Sequence, residues 1–95
     1  MDSENTEPTI EAFDENGELV RKELAKAYLS KGAWQTIMFL YQDKMSNGEF
    51  SEKKVSIRRF QKVQGVYRPK SKFNVSSKAQ AEAMIQIFKE WYEIE

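Results

Sequence analysis

Two stretches in the C-terminal half alternate apolar and polar side chains, and they limit the fold more than any other feature. The first is KVSIRRFQKV, residues 54–63, and the second is VYRPKSKFNVS, residues 66–76. A period of two residues predicts β-strands, and the short Gln64-Gly65 interval predicts that they form a hairpin. Pro69 cannot donate a ladder hydrogen bond, so we expect the second strand to be an edge strand or to carry a bulge there.

A third strand is predicted over residues 33–44, AWQTIMFLYQDK, which are aromatic or branched on both faces. Helical spacing appears on either side of the predicted sheet. Residues 18–31 place apolar side chains three and four positions apart and precede Gly32, so a short N-terminal helix is expected. Residues 77–93 begin with a Ser77–Gln80 capping pattern and predict a longer C-terminal helix. Its apolar stripe comprises Ala81, Met84, Ile85, Phe88, Trp91 and Tyr92.

These elements predict an α+β fold in which an antiparallel sheet of three to four strands packs on the C-terminal helix, with the short helix before it. Ninety-five residues suffice for one domain. The chain contains no Cys and no His, and no phosphate-binding glycine loop or nucleophile–base pair is recognisable. We therefore expect no enzymatic activity, metal, cofactor or small-molecule substrate. No segment has the apolar length of a signal peptide or membrane span, which favours a soluble intracellular protein of the cytoplasm, nucleus or nucleoid.

Charge is distributed unevenly along this chain of zero net charge. Residues 1–15 carry six acidic and no basic side chains, whereas residues 16–95 carry all fifteen basic and nine acidic ones. We interpret residues 1–15 as a mostly disordered acidic tail and residues 16–95 as the domain. The tail either competes with nucleic acid for the basic domain or serves only to keep the protein soluble.

The positive charge is concentrated between Lys53 and Lys78, where nine basic and no acidic side chains occur. Solvated surfaces normally mix both signs, although Lys and Arg also protect edge strands from aggregation. Three aromatic side chains interrupt the run. Basic side chains interleaved with aromatic ones are typical of nucleic-acid binding.

Pairing apolar with apolar side chains predicts the register of the hairpin. Val55 opposes Val75, Ile57 opposes Phe73, and Val63 opposes Tyr67 across a three-residue loop, 64–66. This apolar face would pack on the C-terminal helix. The other face would collect basic side chains around Phe60, where a polyanion would relieve their mutual repulsion. Those basic residues are Arg58, Lys62, Arg68, Lys70 and Lys72.

If Met38 and Leu40 face the helix, Phe39 and Tyr41 lie beside Phe60 on the basic face. Exposed aromatic side chains among basic ones form a platform on which unpaired bases stack. The equally favoured alternative is that these side chains form a dimer interface or lie under the first helix. The complete set of predicted nucleic-acid contacts is Phe39, Tyr41, Lys54, Arg58, Phe60, Lys62, Arg68, Lys70 and Lys72.

The segments VSIRRF and YRPKSKFNVS resemble the positive-cofactor-four family of transcriptional coactivators. Val55, Ile57, Arg58 and Phe60 match an alternating strand that ends in Ile-Arg-x-aromatic, Pro69 matches the turn that follows, and residues 71–76 overlie the next strand. The resemblance covers roughly residues 34–92. It implies a sheet-plus-helix homodimer that holds single-stranded DNA on a basic, aromatic sheet face. It also implies contacts by Arg58 and Phe60, with Lys70 and Lys72 near the phosphates.

Departures from the family pattern leave other functions open. Lys72 stands where the family has Gly, Ser71 where it has Lys, and the aromatic residue at the start of the helix is missing. The predicted order of elements is also that of a double-stranded RNA-binding domain, although the basic run typical of its last helix is absent. A third hypothesis is an interaction domain for an acidic protein. The many aromatic residues favour a homodimer formed through the C-terminal helix or the 33–44 strand.

Overall fold

The computed structural model of the chain describes residues 7–95. One antiparallel sheet of five strands, which are neighbours in chain order, precedes a single helix. The elements are β1 (Ala12–Phe13), β2 (Leu19–Ser30), β3 (Trp34–Asp43), β4 (Lys54–Val63), β5 (Val66–Val75) and α1 (Lys78–Tyr92). The α+β class, the antiparallel sheet and the C-terminal helix are confirmed. The strand number is five instead of three or four.

The predicted N-terminal helix over residues 18–31 is wrong, because this segment forms β2. The register between β2 and β3 shifts at Leu24 and again at Leu29, so each of these residues is an extra one in a bulge. A bulge turns the two-residue spacing of a strand into a three-residue step. Residues that share one face therefore acquire spacings of two and three, which imitate a helical pattern. Pairing with β3 outweighs the helix propensity of the Ala, Leu, Lys and Glu residues.

The hairpin of β4 and β5 has the predicted pairs Val55–Val75 and Ile57–Phe73. Beyond Arg59 the register shifts by one residue at Lys70, which forms a bulge in the edge strand next to Pro69. The predicted three-residue loop is wrong. Gln64 and Gly65 have φ values of 53° and 82°, so both lie in the left-handed region that a two-residue type I′ turn requires. Consequently Tyr67 opposes Lys62 and not Val63.

One face of the sheet contains the buried core, and we call it the closed face. Its buried apolar side chains come from β3 and β4, and Ile10 of the N-terminal segment packs against them. The cluster comprises Ile10, Ile37, Phe39, Tyr41 and Phe60, with Tyr28 and Tyr67 at its margin. Residues 7–13, which we call the N-terminal strap, thus belong to the packed structure, although the sequence suggested a tail over residues 1–15. The part of that tail before Glu7 lies outside the described residues.

The opposite face, the open face, carries apolar side chains that remain partly exposed. Ala25, Ala27, Met38, Leu40 and Val55 line a shallow apolar groove there, of about 190 Å³. The predicted packing of the C-terminal helix on this face is not seen. Among the helices and strands of residues 7–95, only β5 lies in contact with α1, and none of the α1 residues is buried. The radius of gyration, 15.7 Å, therefore exceeds the roughly 12 Å expected for a compact domain of this length.

Helix α1 begins at the predicted cap. The Ser77 hydroxyl accepts a hydrogen bond from the Gln80 backbone N–H at 3.1 Å, and the Gln80 side chain accepts one from the Ser76 N–H at 2.6 Å. These bonds satisfy donors that the first turn leaves free. The helix ends at Tyr92, and the left-handed conformation of the C-cap residue Glu93 lets the Ile94 N–H donate to the Lys89 carbonyl at 3.0 Å. Local sequence thus specifies α1 well, while tertiary packing contributes little to it.

Candidate nucleic-acid interface

Most of the nine predicted contact residues lie on the closed face. Lys54, Arg58, Phe60 and Lys62 occupy β4 on this side, because their β3 partners include the buried Gln35, Ile37 and Tyr41. Lys72 of β5 joins them directly opposite Arg58. Phe39 and Tyr41 of β3 complete the group. The bulge at Lys70 sends Arg68 to the open face, where it pairs with Gln61.

The three aromatic members of the predicted site are buried and not exposed. Phe39 is 1% exposed, Tyr41 4% and Phe60 8%, and the Phe39 and Phe60 rings meet edge to face with their centroids 6.5 Å apart. The N-terminal strap covers them through Ile10, where the sequence had suggested a dimer partner or the first helix as a possible cover. In this arrangement their faces are not available to stack with bases.

Arg58 stands at the centre of a polar network within the closed face. Its Nε donates to the Ser56 hydroxyl at 3.0 Å, and that hydroxyl donates to Asn74 Oδ1 at 2.6 Å. Burial lowers the pKa of Arg58, and the positive charge of Arg21 lowers it further. No ion pair formed by residues 7–95 includes Arg58. The described part of the chain therefore leaves a half-buried cation without a carboxylate partner.

The bulge in β5 opens a pocket beside Arg58. Its volume is about 220 Å³, and Arg58, Pro69, Lys70, Ser71 and Lys72 line it. Three of these five side chains, those of Arg58, Lys70 and Lys72, are cationic. Lys70 and Lys72 are exposed, so their charges are accessible from solvent. A pocket of this composition can hold an anion such as a phosphate group.

Lys54 has a different environment from the other predicted bases. It forms an ion pair of 3.3 Å with Asp43, whose other oxygen accepts a 2.7 Å bond from Arg21 Nε. The hydrogen bond from Arg21 lowers the pKa of Asp43, and the bond from Lys54 adds to the effect while burial opposes it. Asp43 therefore joins β2, β3 and β4 at the rim of the closed face and forms ion pairs with two of its cations.

Tyr67 lies on the closed face opposite Lys62, and not on the opposite face as predicted from its pairing with Val63. Lys62 Nζ lies 5.6 Å from the centroid of its ring. Its phenol donates to the Gly32 carbonyl at 3.3 Å and accepts from Gln35 Nε2 at 3.1 Å, which fixes the ring orientation. The signal that identifies it is the Gln64-Gly65 pair interpreted as a two-residue turn.

The open face carries an aromatic–cation pair that was also missed. The Arg59 guanidinium lies 4.5 Å from the centroid of the Trp34 ring, and Trp34 is 41% exposed. Phe73 lies on the same face of β5 as Ser71, which pairs with Arg59. Its side chain is 47% exposed. Both aromatic rings are thus accessible, in contrast to those of the closed face.

Comparison of the chain with family models, curated proteins and solved structures finds no match in any of the three. Within residues 7–95, no three His, Cys, Asp or Glu side chains come together as metal ligands. Over the same range, no helix is long and apolar enough to cross a membrane. The geometry of the sheet is therefore the basis of the functional inference.

Proposed function

We propose that this protein binds single-stranded nucleic acid along the β4–β5 hairpin, with its phosphates held by Arg58, Lys62, Lys70 and Lys72. The observation that carries this proposal is the half-buried guanidinium of Arg58, which no carboxylate of residues 7–95 pairs with and which lies directly opposite Lys72. Like charges at opposed positions of neighbouring strands destabilise a sheet. A phosphate between these two side chains removes that repulsion and supplies charge-assisted hydrogen bonds.

The remaining predicted contacts take unequal parts in this proposal. Lys54 is already neutralised by Asp43, and Arg68 projects from the other face, so both contribute less than the four central cations. Tyr67 is the partly exposed ring on the same face and offers a surface for an unpaired base beside Lys62. The resemblance to positive-cofactor-four coactivators adds a transcription-related role.

Duplex nucleic acid and acidic proteins would also be attracted by the four cations. A single strand is favoured because its unpaired bases can stack on Tyr67, whereas a duplex offers only phosphates to a flat strand surface. Preference for double-stranded RNA in a direct comparison would favour the alternative of a double-stranded RNA-binding module. Binding of an acidic polypeptide and of no nucleic acid would favour the protein-interaction alternative.

Fluorescence anisotropy with labelled oligothymidylate, duplex DNA and double-stranded RNA at low salt tests the proposal. We expect the tightest binding to oligothymidylate and a loss of affinity on Lys72→Ala and Lys70→Ala. Lys89→Ala, an equal change of charge on the exposed α1, is the matched control and should bind as the wild type does. Equal affinities for all four proteins, or no binding at low salt, would contradict the proposal.

We also propose that a second copy of the chain is a partner. Helix α1 leaves Phe88 47%, Trp91 77% and Tyr92 72% exposed, and the open face leaves its own apolar groove uncovered. An aromatic side chain buries about 150–250 Å² when fully covered, so the exposed parts of these three can supply roughly 300–500 Å² of the roughly 800 Å² per partner of a stable interface. Each copy would offer both a helix and a groove, as a two-fold interface requires.

Sedimentation equilibrium measures this association without nucleic acid. We expect a dimer in the micromolar range for the wild type and a monomer for Phe88→Asp. Gln86→Asp places the same charge on an exposed polar position of α1 and should remain dimeric. A wild type that stays monomeric at high micromolar concentration would show that the apolar surfaces of α1 and the open face do not join two copies.

A further inference from the structure

The N-terminal strap runs along β2 in the antiparallel direction and places one apolar anchor in the core of the closed face. Ile10 is 3% exposed and packs in the cluster that contains Phe39 and Phe60. On either side of Ile10 the strap carries a carboxylate, Glu7 and Glu11. An apolar side chain between two negative charges resembles, in its chemistry, a base between two phosphates.

Side chains of β2 hold the strap in this position. Lys26 Nζ donates to the Pro8 carbonyl at 2.6 Å, and the Thr9 hydroxyl donates to Glu23 Oε1 at 2.7 Å. The Ile10 N–H donates to the same Glu23 oxygen at 3.3 Å, and the Tyr28 phenol donates to the Glu7 carboxylate. All of these bonds involve a side chain of β2 instead of a backbone ladder.

Regular strand pairing secures only the far end of the strap. Strand β1 comprises Ala12 and Phe13 alone, and its register with β2 shifts between these two residues. Residues 7–11 precede this strand, so they can leave the sheet without breaking a ladder. Segments with few backbone bonds to the rest of a protein open locally at a lower free energy than its core strands do.

We infer that the N-terminal strap is a displaceable intramolecular competitor of the nucleic acid. A single strand that binds the closed face displaces residues 7–11, and removal of Ile10 uncovers the rings of Phe39 and Phe60 for stacking with bases. This inference rests on the proposed nucleic-acid function and specifies how the site is regulated. Only molecules from which the strap has detached can bind in this mode. The observed affinity is therefore the intrinsic affinity multiplied by the fraction of molecules with a detached strap.

Hydrogen exchange of the full-length wild type tests the displacement directly. We expect the amides of residues 9–11 to exchange faster when oligothymidylate is added, because their segment leaves the sheet. Over the same interval, amides of β4 should exchange more slowly or at an unchanged rate. Slower or unchanged exchange of residues 9–11 in a protein that has bound oligothymidylate would overturn the displacement and leave the proposed function intact.

Binding by strap variants gives an independent test. Ile10→Ser removes the anchor and should tighten oligothymidylate binding by about tenfold or more, because burial of an Ile side chain shifts such an equilibrium by about that factor. Ile94→Ser makes the same substitution at a position beyond α1 that is 54% exposed and outside the strap, and it should leave the affinity unchanged. Thr9→Ala removes the two hydrogen bonds of the Thr9 hydroxyl, to Glu23 and from the Glu11 N–H, and leaves the core intact. It should tighten binding to a smaller extent, and it guards against misfolding of Ile10→Ser.

The outcomes separate the two proposals. Weaker or unchanged binding by both Thr9→Ala and a folded Ile10→Ser, with the wild type binding oligothymidylate, would overturn the competition alone. Failure of the wild type and of every strap variant to bind any nucleic acid would overturn the proposed function, and the strap inference with it.

Discussion

Both faces of the sheet carry apolar side chains, but they differ in how far these are buried. On the closed face, Phe39, Tyr41 and Phe60 are buried in a cluster that also contains Ile10 of the N-terminal strap, with Tyr28 and Tyr67 packed against it. On the open face, Met38, Leu40 and Val55 line a groove that stays partly exposed in the described part of the chain, where α1 contacts β5 and neither β3 nor β4. The difference shows that the core of a single-layer sheet is determined by the segment that packs on it and not by the hydrophobicity of its strands.

The largest expected difference is in the free energy of unfolding when one aromatic residue on each face is replaced by Ala. Phe60→Ala removes a side chain from the core and should lower the free energy of unfolding by about 3–5 kcal/mol. Phe73→Ala alters a ring that is 47% exposed and should cost less than about 1 kcal/mol. Chemical denaturation at submicromolar concentration, below the expected dimerisation range, measures both. A larger loss for Phe73→Ala would invert the assignment of the two faces.

Acid should destabilise the protein by protonating Asp43 at the rim of the closed face. Its pKa is lowered in the folded state, mainly by the hydrogen bond from Arg21, so its contribution to stability is present above the unfolded-state value of about 3.9. That contribution is lost as the pH falls through the lower, folded-state value. Asp43→Asn should therefore be less stable than the wild type at neutral pH, and the difference should narrow below about pH 4. Denaturation curves at several pH values test this, and a constant difference would contradict it.

The smallest effect should come from the turn that decides which face receives Tyr67. Gln64 has a φ of 53°, a conformation that Asn adopts more readily, so Gln64→Asn should stabilise the protein by a few tenths of a kcal/mol, up to about 1. Gly65 has a φ of 82°, so Gly65→Ala should destabilise the protein by a similar amount. Thermal melting of the two variants gives the comparison. Stabilisation by Gly65→Ala would be incompatible with a type I′ turn.

Local patterns in the sequence were sufficient to predict the β4–β5 hairpin and α1. The alternation of residues 54–63, the Pro69 signal and the Ser77–Gln80 cap each act over a few residues. Strand β2 was missed because its two bulges, at Leu24 and Leu29, break the alternation that identifies a strand. Its assignment depends on pairing with β3, which a local pattern does not encode.

Burial of the predicted aromatic contacts could not be predicted for a related reason. Phe39 and Met38 are both apolar, and alternation places them on opposite faces without indicating which face is covered. The covering residue, Ile10, lies in an acidic segment of low hydrophobicity and is distant from β3 and β4 in sequence. Grouping of Arg58, Lys62 and Lys72 did follow from the pattern, because it depends only on strand register.

The salt dependence of oligothymidylate binding is the most direct test of the claim that the closed face binds a single strand. Four phosphate contacts, by Arg58, Lys62, Lys70 and Lys72, should give a slope of about −2.8 in a plot of log K against log salt concentration, at about −0.7 per contact. Lys72→Ala should reduce the magnitude of this slope by about one contact, while Lys89→Ala leaves it unchanged. Identical slopes for Lys72→Ala and the wild type, or undetectable binding at low salt, would contradict the assignment of nucleic-acid binding to the closed face.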